Sequence, residues 1–217
     1  AIADDWAGFG VLHNAAGRVG ALDVGFVPVE GGRATADILG GGMETIVLLG
    51  ADEVDLSKTS AATVIYVGSH GDAGASRADI ILPAATYTEM AATFVNTEGR
   101  VQVTSKAVQP KGEAREGWAI FRALSDVMGK TLPYDTVDAL REGLRENEVF
   151  AGVGYAPGAA GAEALKAVPE AAGSLSSAPF KPVIGDFYLT NPIARASKTM
   201  AECSALATAL DTPVAAE

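Results

Sequence analysis

The chain has 217 residues, of which 48% are hydrophobic and 20% charged, and it carries a formal net charge of −11. That length suits one ordinary domain, or a domain with a long tail, and buries roughly 70% of the surface that the unfolded chain exposes. With no cluster of Lys and Arg, nucleic acid is excluded, because its binding needs a cationic surface to release phosphate counterions, and an anionic membrane surface is disfavoured for the same reason.

Aromatic residues make up only 6% while glycines number 25, so the core is built from Val, Ile, Leu and Ala. The single cysteine, Cys203, excludes an internal disulfide framework and a cysteine-ligated metal site. The longest apolar runs, Ile46–Leu49 and Ile80–Leu82, are strand-sized, far below the ~20 residues of a membrane span, so no direct membrane insertion is expected. Residues 1–6 lack the basic and apolar regions of a signal peptide, and the opening without Met fits processing or truncation from a longer protein equally well.

In chain order, Trp6, Phe9, Val11, Leu12, Ala16 and Val19 predict a helix over 4–20, followed by a Gly/Pro/Glu-rich crossing and a short helical piece around 34–39. Three apolar runs, 44–50, 63–68 and 78–83, lack polar alternation. They read as strands buried on both faces of a parallel sheet in an α/β layered domain. Three strands are fewer than the five or six of a complete doubly wound sheet, so the isolated chain is expected to expose an edge or an apolar face and to associate. Residues 93–103 hold two β-prone runs around a turn, Asn96–Gly99, with Gly99 at positive φ. A helix over 113–128 places Trp118, Phe121, Leu124, Val127 and Met128 on one face and ends at Gly129. Another starts at Asp135 as N-cap and packs through Val137, Leu140 and Leu144. Residues 151–182, rich in Ala, Gly and Pro, read as a flexible linker, in which a few residues at 163–168 could be helical. The tail, 183–217, is anchored by Phe187, Tyr188 and Leu189. Asn191 as N-cap and Pro192 at the first position then start a helix to about Leu206. Its apolar stripe is Ile193, Ala196, Met200 and Cys203, with Arg195, Lys198 and Glu202 opposed, and the tail is expected to dock on the domain or on a partner.

His70 and Asp72 lie in a glycine-rich loop, 68–74, just after a buried strand, where doubly wound sheets bind ligands. Arg77 is the one basic residue close by, and the phosphate-binding spacing is missing, so a tight connection is the favoured reading. His13 and His70, the only histidines, have no partner spacing for a metal. Ser69 and His70 are adjacent, and an extended backbone would point them apart. Glu89, Glu98 and Arg100 suit a Glu–Arg contact that fixes the turn better than an acid–base pair. Cys203 reads as a bystander thiol. The residues supply no catalytic, cofactor-binding or metal constellation.

The run 78–83, then Glu89, then 92–102, and the helix start 112–118 with Gly117 where an Asp is usual, resemble the late α/β region of molybdopterin-dependent oxidoreductases. Residues 70–75, 87–89, 131–135 and 186–201 resemble one branch, the large iron–sulfur subunit of respiratory complex I, in its mitochondrial and α-proteobacterial forms. The likeness covers nearly the whole chain except the linker, which looks lineage-specific. It implies a partial doubly wound, mainly parallel sheet of the superfamily type over 1–150. It also implies a non-catalytic C-terminal segment of a proton-pumping NADH–quinone oxidoreductase. The 4Fe–4S and 2Fe–2S clusters of such a subunit would be held by N-terminal ligands outside this sequence, and the pterin cofactor would be lost. The expected partners are other peripheral-arm subunits, on the cytoplasmic side of the bacterial inner membrane or the mitochondrial matrix side. The alternative is a fragment of an active molybdopterin enzyme such as a formate dehydrogenase or nitrate reductase.

Overall fold

The computed structural model describes residues 2–3, 6–7, 11–13, 15–60, 62–151, 177–179 and 184–211. Its elements are β1 (Ile2–Ala3), β2 (Trp6–Ala7), α1 (Arg18–Asp23), α2 (Thr35–Leu39), β3 (Thr45–Leu49), β4 (Thr63–Gly68), α3 (Ala73–Arg77), β5 (Ile80–Pro83), β6 (Thr93–Val95) and β7 (Val101–Val103). The chain continues through α4 (Gly117–Val127), α5 (Val137–Arg145), α6 (Glu148–Ala151), a 3₁₀ turn (Phe187–Leu189), α7 (Pro192–Arg195) and α8 (Lys198–Asp211). They fall into two compact units, one of residues 35–86, 111–117 and 181–217, the other of residues 1–34, 87–110 and 118–180.

The first unit is built on the three apolar runs, which form a parallel sheet in the order β3-β4-β5, with Ile46 opposite Val64 and Tyr66 opposite Ile81. Because side chains alternate along a strand, Ile46, Leu48, Val64 and Tyr66 point to one face and are buried there with Leu56 and Ala62. Burial of each Ile, Leu or Val among them contributes roughly 1.5–3 kcal/mol. On strands β3 and β5, Val47, Leu49 and Ile80 stay exposed, in keeping with an incomplete sheet. The edge is pinned by Asp79, whose Oδ2 accepts the Val64 N–H at 2.8 Å. That bond holds the Asp79 carboxyl below the usual 3.8, helped by Arg77.

In the second unit, β6 and β7 pair antiparallel across the Asn96–Gly99 turn, with Val95 opposite Val101. Gly99 has φ +80°, as expected from the sequence. Val95, Val101 and Phe150 are buried together, with Val19 and Leu144 half-buried against them. The helix α5 is tied to the hairpin by Arg141, which donates to the carbonyls of Ala92 and Thr104 at 3.2 and 2.9 Å.

Several expectations are corrected. No helix spans 4–20: β1 pairs antiparallel with β2, residues 11–13 are irregular, and the helix begins only at Arg18. Glycines at 8, 10 and 17 each cost a helix about 1 kcal/mol relative to Ala, which outweighs the loose apolar spacing. Helix α4 starts at Gly117, because Arg115 is drawn into a strand-like bridge with Ala84. At its other end Val127 is 86% exposed and Met128 70%, so only Trp118, Phe121 and Leu124 form the half-buried face. The cap of α5 is Thr136, whose hydroxyl accepts the Ala139 N–H, whereas Asp135 is engaged by Arg122 at 2.8 Å. The final helix is two: α7 ends at Arg195, and α8 begins at Lys198. The break rotates the phase of the expected stripe, leaving Ile193 and Ala196 exposed and Met200 and Cys203 half-buried. Most of the linker, including 163–168, lies outside the described residues.

Candidate functional site

The carboxyl ends of β3 and β4 open onto the loops 50–56 and 68–72, the position at which parallel sheets bind ligands. Here the chain itself supplies most of the partners. Asp52 is 2% exposed, and its Oδ1 accepts the N–H groups of Gly74 and Ala75 at 2.6 and 3.2 Å. Its carboxylate thus sits where an exogenous anion would meet those amides. A Cβ on Gly74 would come within 2.7 Å of that same Oδ1, so only glycine admits the carboxylate. The Oδ2 atom of Asp52 has no hydrogen-bond partner among the described residues.

Beside Asp52, the Tyr66 hydroxyl donates to the carbonyl of His70. Burial raises the Tyr66 phenol pKa above 10.0, and the charges of Asp52 and Glu53 push the same way against Arg195. The phenol therefore stays protonated and keeps donating. Arg195, from α7, closes the cluster: its Nε donates to Asp72 at 2.7 Å and its Nη2 to Glu53 at 2.9 Å. Burial opposes the Arg195 charge, but the bonds to Glu53 and Asp72 outweigh it and raise its pKa. Ion pairs of this partly exposed kind contribute about 0–1 kcal/mol each.

Asp72 is committed to Arg195, and Arg77 to the carbonyls of Thr59 and Ala62, both at 3.0 Å. Ser69 and His70 come together after all: the chain bends there instead of extending, and Ser69 Oγ lies 3.0 Å from His70 Nδ1. Among the described residues that hydroxyl is the imidazole's sole hydrogen-bonding neighbour, so no third group orients the ring as a nucleophile–base pair requires. In the second unit, Glu98 and Arg100 approach to 3.8 Å. The turn is held as well by Asn96, whose Oδ1 accepts the N–H groups of Glu98 and Arg100 at 3.0 and 2.9 Å. Glu89 is buried. His13 is exposed and lines an open groove of about 320 Å³ with Val19, Phe94, Asn96, Thr97 and Gln102. That groove contains no charged pair. Cys203 is half-buried on α8.

Sequence reasoning does not reach Asp52, Glu53, Tyr66 or Arg195 as members of a site. The available signal is an acidic pair two residues after a glycine-closed strand, but its partners lie 22 and 142 residues away. Helical periodicity puts Arg195 on a solvent face.

The residues present do not fit the cofactors of related enzymes. A pterin cofactor carries anionic phosphate, and this crevice presents the carboxylates of Asp52, Glu53 and Asp72 to a single guanidinium. The orphaned Asp52 Oδ2 is an acceptor, which a phosphate oxygen cannot satisfy. Iron–sulfur clusters need several thiolates, and the chain has one cysteine. Among the described residues, no three His, Cys, Asp or Glu side chains are grouped to hold a metal ion, and no helix is long and apolar enough to cross a membrane.

Comparison with known proteins adds the context. Residues 155–203 match the C-terminal family of NADH-ubiquinone oxidoreductase G subunits, a match that runs through the stretch read as lineage-specific. The 75 kDa subunit of NADH-ubiquinone oxidoreductase of Reclinomonas americana is 41% identical over 93% of this chain and 29% of its own length. The mitochondrial NADH dehydrogenase [ubiquinone] iron-sulfur protein 1 of Solanum tuberosum is 42% identical over 93% of this chain and 27% of its own. The mitochondrial 78 kDa subunit of NADH-ubiquinone oxidoreductase of Neurospora crassa is 42% identical over 94% and 27%. The chain thus spans less than a third of the length of these curated relatives. Residues 1–127, more than half of the chain, match the molybdopterin oxidoreductase model, and together with the parallel α/β sheet this shows that the chain belongs to the molybdopterin oxidoreductase family.

Proposed function

We propose that the chain is the C-terminal segment of the large iron–sulfur subunit of an NADH–ubiquinone oxidoreductase, and that its role there is structural. The observation that carries the structural role is the self-filled crevice: Asp52 on the Gly74 and Ala75 amides, and Arg195 across Glu53 and Asp72. The Gly74 and Ala75 amides and the Arg195 guanidinium are engaged by the chain's own carboxylates, so these donors are not free to bind or polarise a substrate. The likeness to the 75 and 78 kDa subunits supports the assignment to that oxidoreductase. Electrons from NADH would then pass through iron–sulfur clusters held elsewhere in the subunit, toward quinone. The proposed partners are neighbouring subunits of the peripheral arm, on the matrix or cytoplasmic side.

The match of residues 1–127 also suits an active molybdopterin enzyme. One purification separates the readings. The full-length protein, isolated in its native assembly, should bring down NADH-dehydrogenase subunits and iron without molybdenum. Stoichiometric molybdenum with an extractable pterin would overturn the proposal.

A further inference from the structure

The closure of the crevice is made by a segment remote in sequence. Arg195 is 123 residues from Asp72 and 142 from Glu53, yet bonds both. Those two carboxylates stand on different loops, one after β3 and the other after β4. A single guanidinium therefore spans the carboxyl ends of two adjacent parallel strands.

The segment bearing Arg195 is organised to present it. Asn191 accepts the Ala194 N–H at 2.9 Å, and Pro192 opens α7, so the turn is preformed. Arg195 Nη1 also donates to the Leu189 carbonyl at 3.3 Å, which holds the side chain against its own 3₁₀ turn. Asp186 accepts the Tyr188 N–H and the Ser204 hydroxyl, linking that turn to α8. Apolar cover is thin by comparison: Phe187 is 79% exposed, Leu206 64% and Leu210 85%. Tyr188, Leu189, Met200 and Cys203 are half-buried, and the polar contacts of Arg195 add the bonds to the two loops.

We propose that residues 184–211 form a strap that shuts the carboxyl-end crevice of the parallel sheet, with Arg195 as its latch on Glu53 and Asp72. The latch supplies the positive charge that the acidic loops would otherwise take from a ligand or from solvent cations. Its bonds are charge-assisted and partly exposed, with Arg195 at 20%, Glu53 at 55% and Asp72 at 50% side-chain exposure. Such a latch is weakened by salt and can release without unfolding the sheet. This goes beyond the structural role above and stands on the geometry of one unit alone.

Amide hydrogen exchange of the full-length protein in its native assembly tests the strap, comparing wild type with Arg195→Glu and Arg195→Lys. In Arg195→Glu, the amides of 193–211 should exchange at least about ten-fold faster while those of β3 and β4 change little, as expected for a local opening. Arg195→Lys, which keeps the charge but loses the fork, should fall between. Raising salt from about 0.05 to 0.5 M should speed exchange of the strap in wild type and slow it in Arg195→Glu, where salt screens the new repulsion between carboxylates. Equal exchange of 193–211 in wild type and Arg195→Glu would overturn the latch. Acceleration of β3 and β4 by the same factor would overturn it too, making Arg195 a pillar of the fold. Co-purifying subunits, read from the same preparation, report separately on the proposed function.

Discussion

The two units solve the same problem with apolar clusters of different size among the described residues. The sheet unit buries a contiguous apolar face, Ile46, Leu48, Val64 and Tyr66 with Leu56 and Ala62. Among the described residues, the hairpin unit buries Val95, Val101 and Phe150 as a cluster, and it adds side chains that bond distant backbone. Arg141 reaches the carbonyls of Ala92 and Thr104, and Asn147 donates to that of Asp23 at 3.0 Å. Both units carry such staples, as Arg77 on the Thr59 and Ala62 carbonyls in the sheet unit shows, and they differ in the buried apolar cluster, which among the described residues is larger in the sheet unit. Substitutions in the two should therefore fail in different ways.

The largest effect belongs to the apolar unit. Tyr66→Ala should destabilise it by about 3–5 kcal/mol, since an aromatic core truncation loses both transfer energy and packing. It also removes the donor to His70. Urea unfolding of the full-length protein, read by exchange at β3 and β4, checks this, and a loss below about 1 kcal/mol would show that the site collapses freely. Next comes a staple. Arg141→Met keeps most of the apolar stem but strips the charged donors from two carbonyls, with a cost of about 1.5–3 kcal/mol. Protection should fall at Thr93–Val95 and Val101–Val103 and persist at Val64–Val67. Uniform loss across both pairs of strands would erase the distinction drawn between the units.

Gly99→Val is smaller again. A β-branched residue at φ +80° costs about 1–3 kcal/mol, and Asn96 Oδ1 still holds the Glu98 and Arg100 amides. Assembly level should drop while turnover per assembled molecule stays normal, and the reverse pattern would place chemistry at this turn.

Acid gives the gentlest contrast, with opposite signs in the two units. Asp186 is held below 3.8 by the Ser204 hydroxyl and the Tyr188 N–H, and Asp79 by the Val64 N–H and Arg77. Their stabilisation of the sheet unit is complete above 3.8 and disappears as pH falls through those lowered values. Burial raises Asp23, in the hairpin unit, above 3.8. Its charged form is penalised by folding, so that penalty is present above the raised value and vanishes as pH falls to 3.8. Carboxyl-carbon NMR titration should put Asp79 and Asp186 below 3.8 and Asp23 above. A common midpoint would contradict both causes.

The parallel sheet was legible because buried strands in such sheets are continuous apolar runs, and all three, 44–50, 63–68 and 78–83, contain one. The Asn96–Gly99 hairpin was legible from turn chemistry alone, and Asn191-Pro192 from capping chemistry. What escaped was governed by competition or distance. Asp135 satisfies the rules for an N-cap, but Arg122 takes it and Thr136 caps instead. Arg195 sits on what periodicity calls a polar face, and nothing local announces carboxylates more than a hundred residues upstream. Asp52 likewise reads as an ordinary loop acid until Gly74 and Ala75 fold against it. The crevice was anticipated by topology, and its contents were not.

Asp52→Ala empties the crevice of its own anion and leaves the Gly74 and Ala75 amides without their acceptor. On the function proposed above, the amount of assembled oxidoreductase and the NADH:quinone turnover per assembled complex are measured together in cells carrying this variant in the full-length gene. Assembly should fall several-fold, as expected for a loss of about 1–3 kcal/mol, with turnover per complex unchanged. Normal assembly with turnover abolished would contradict the structural role and make Asp52 part of the chemistry.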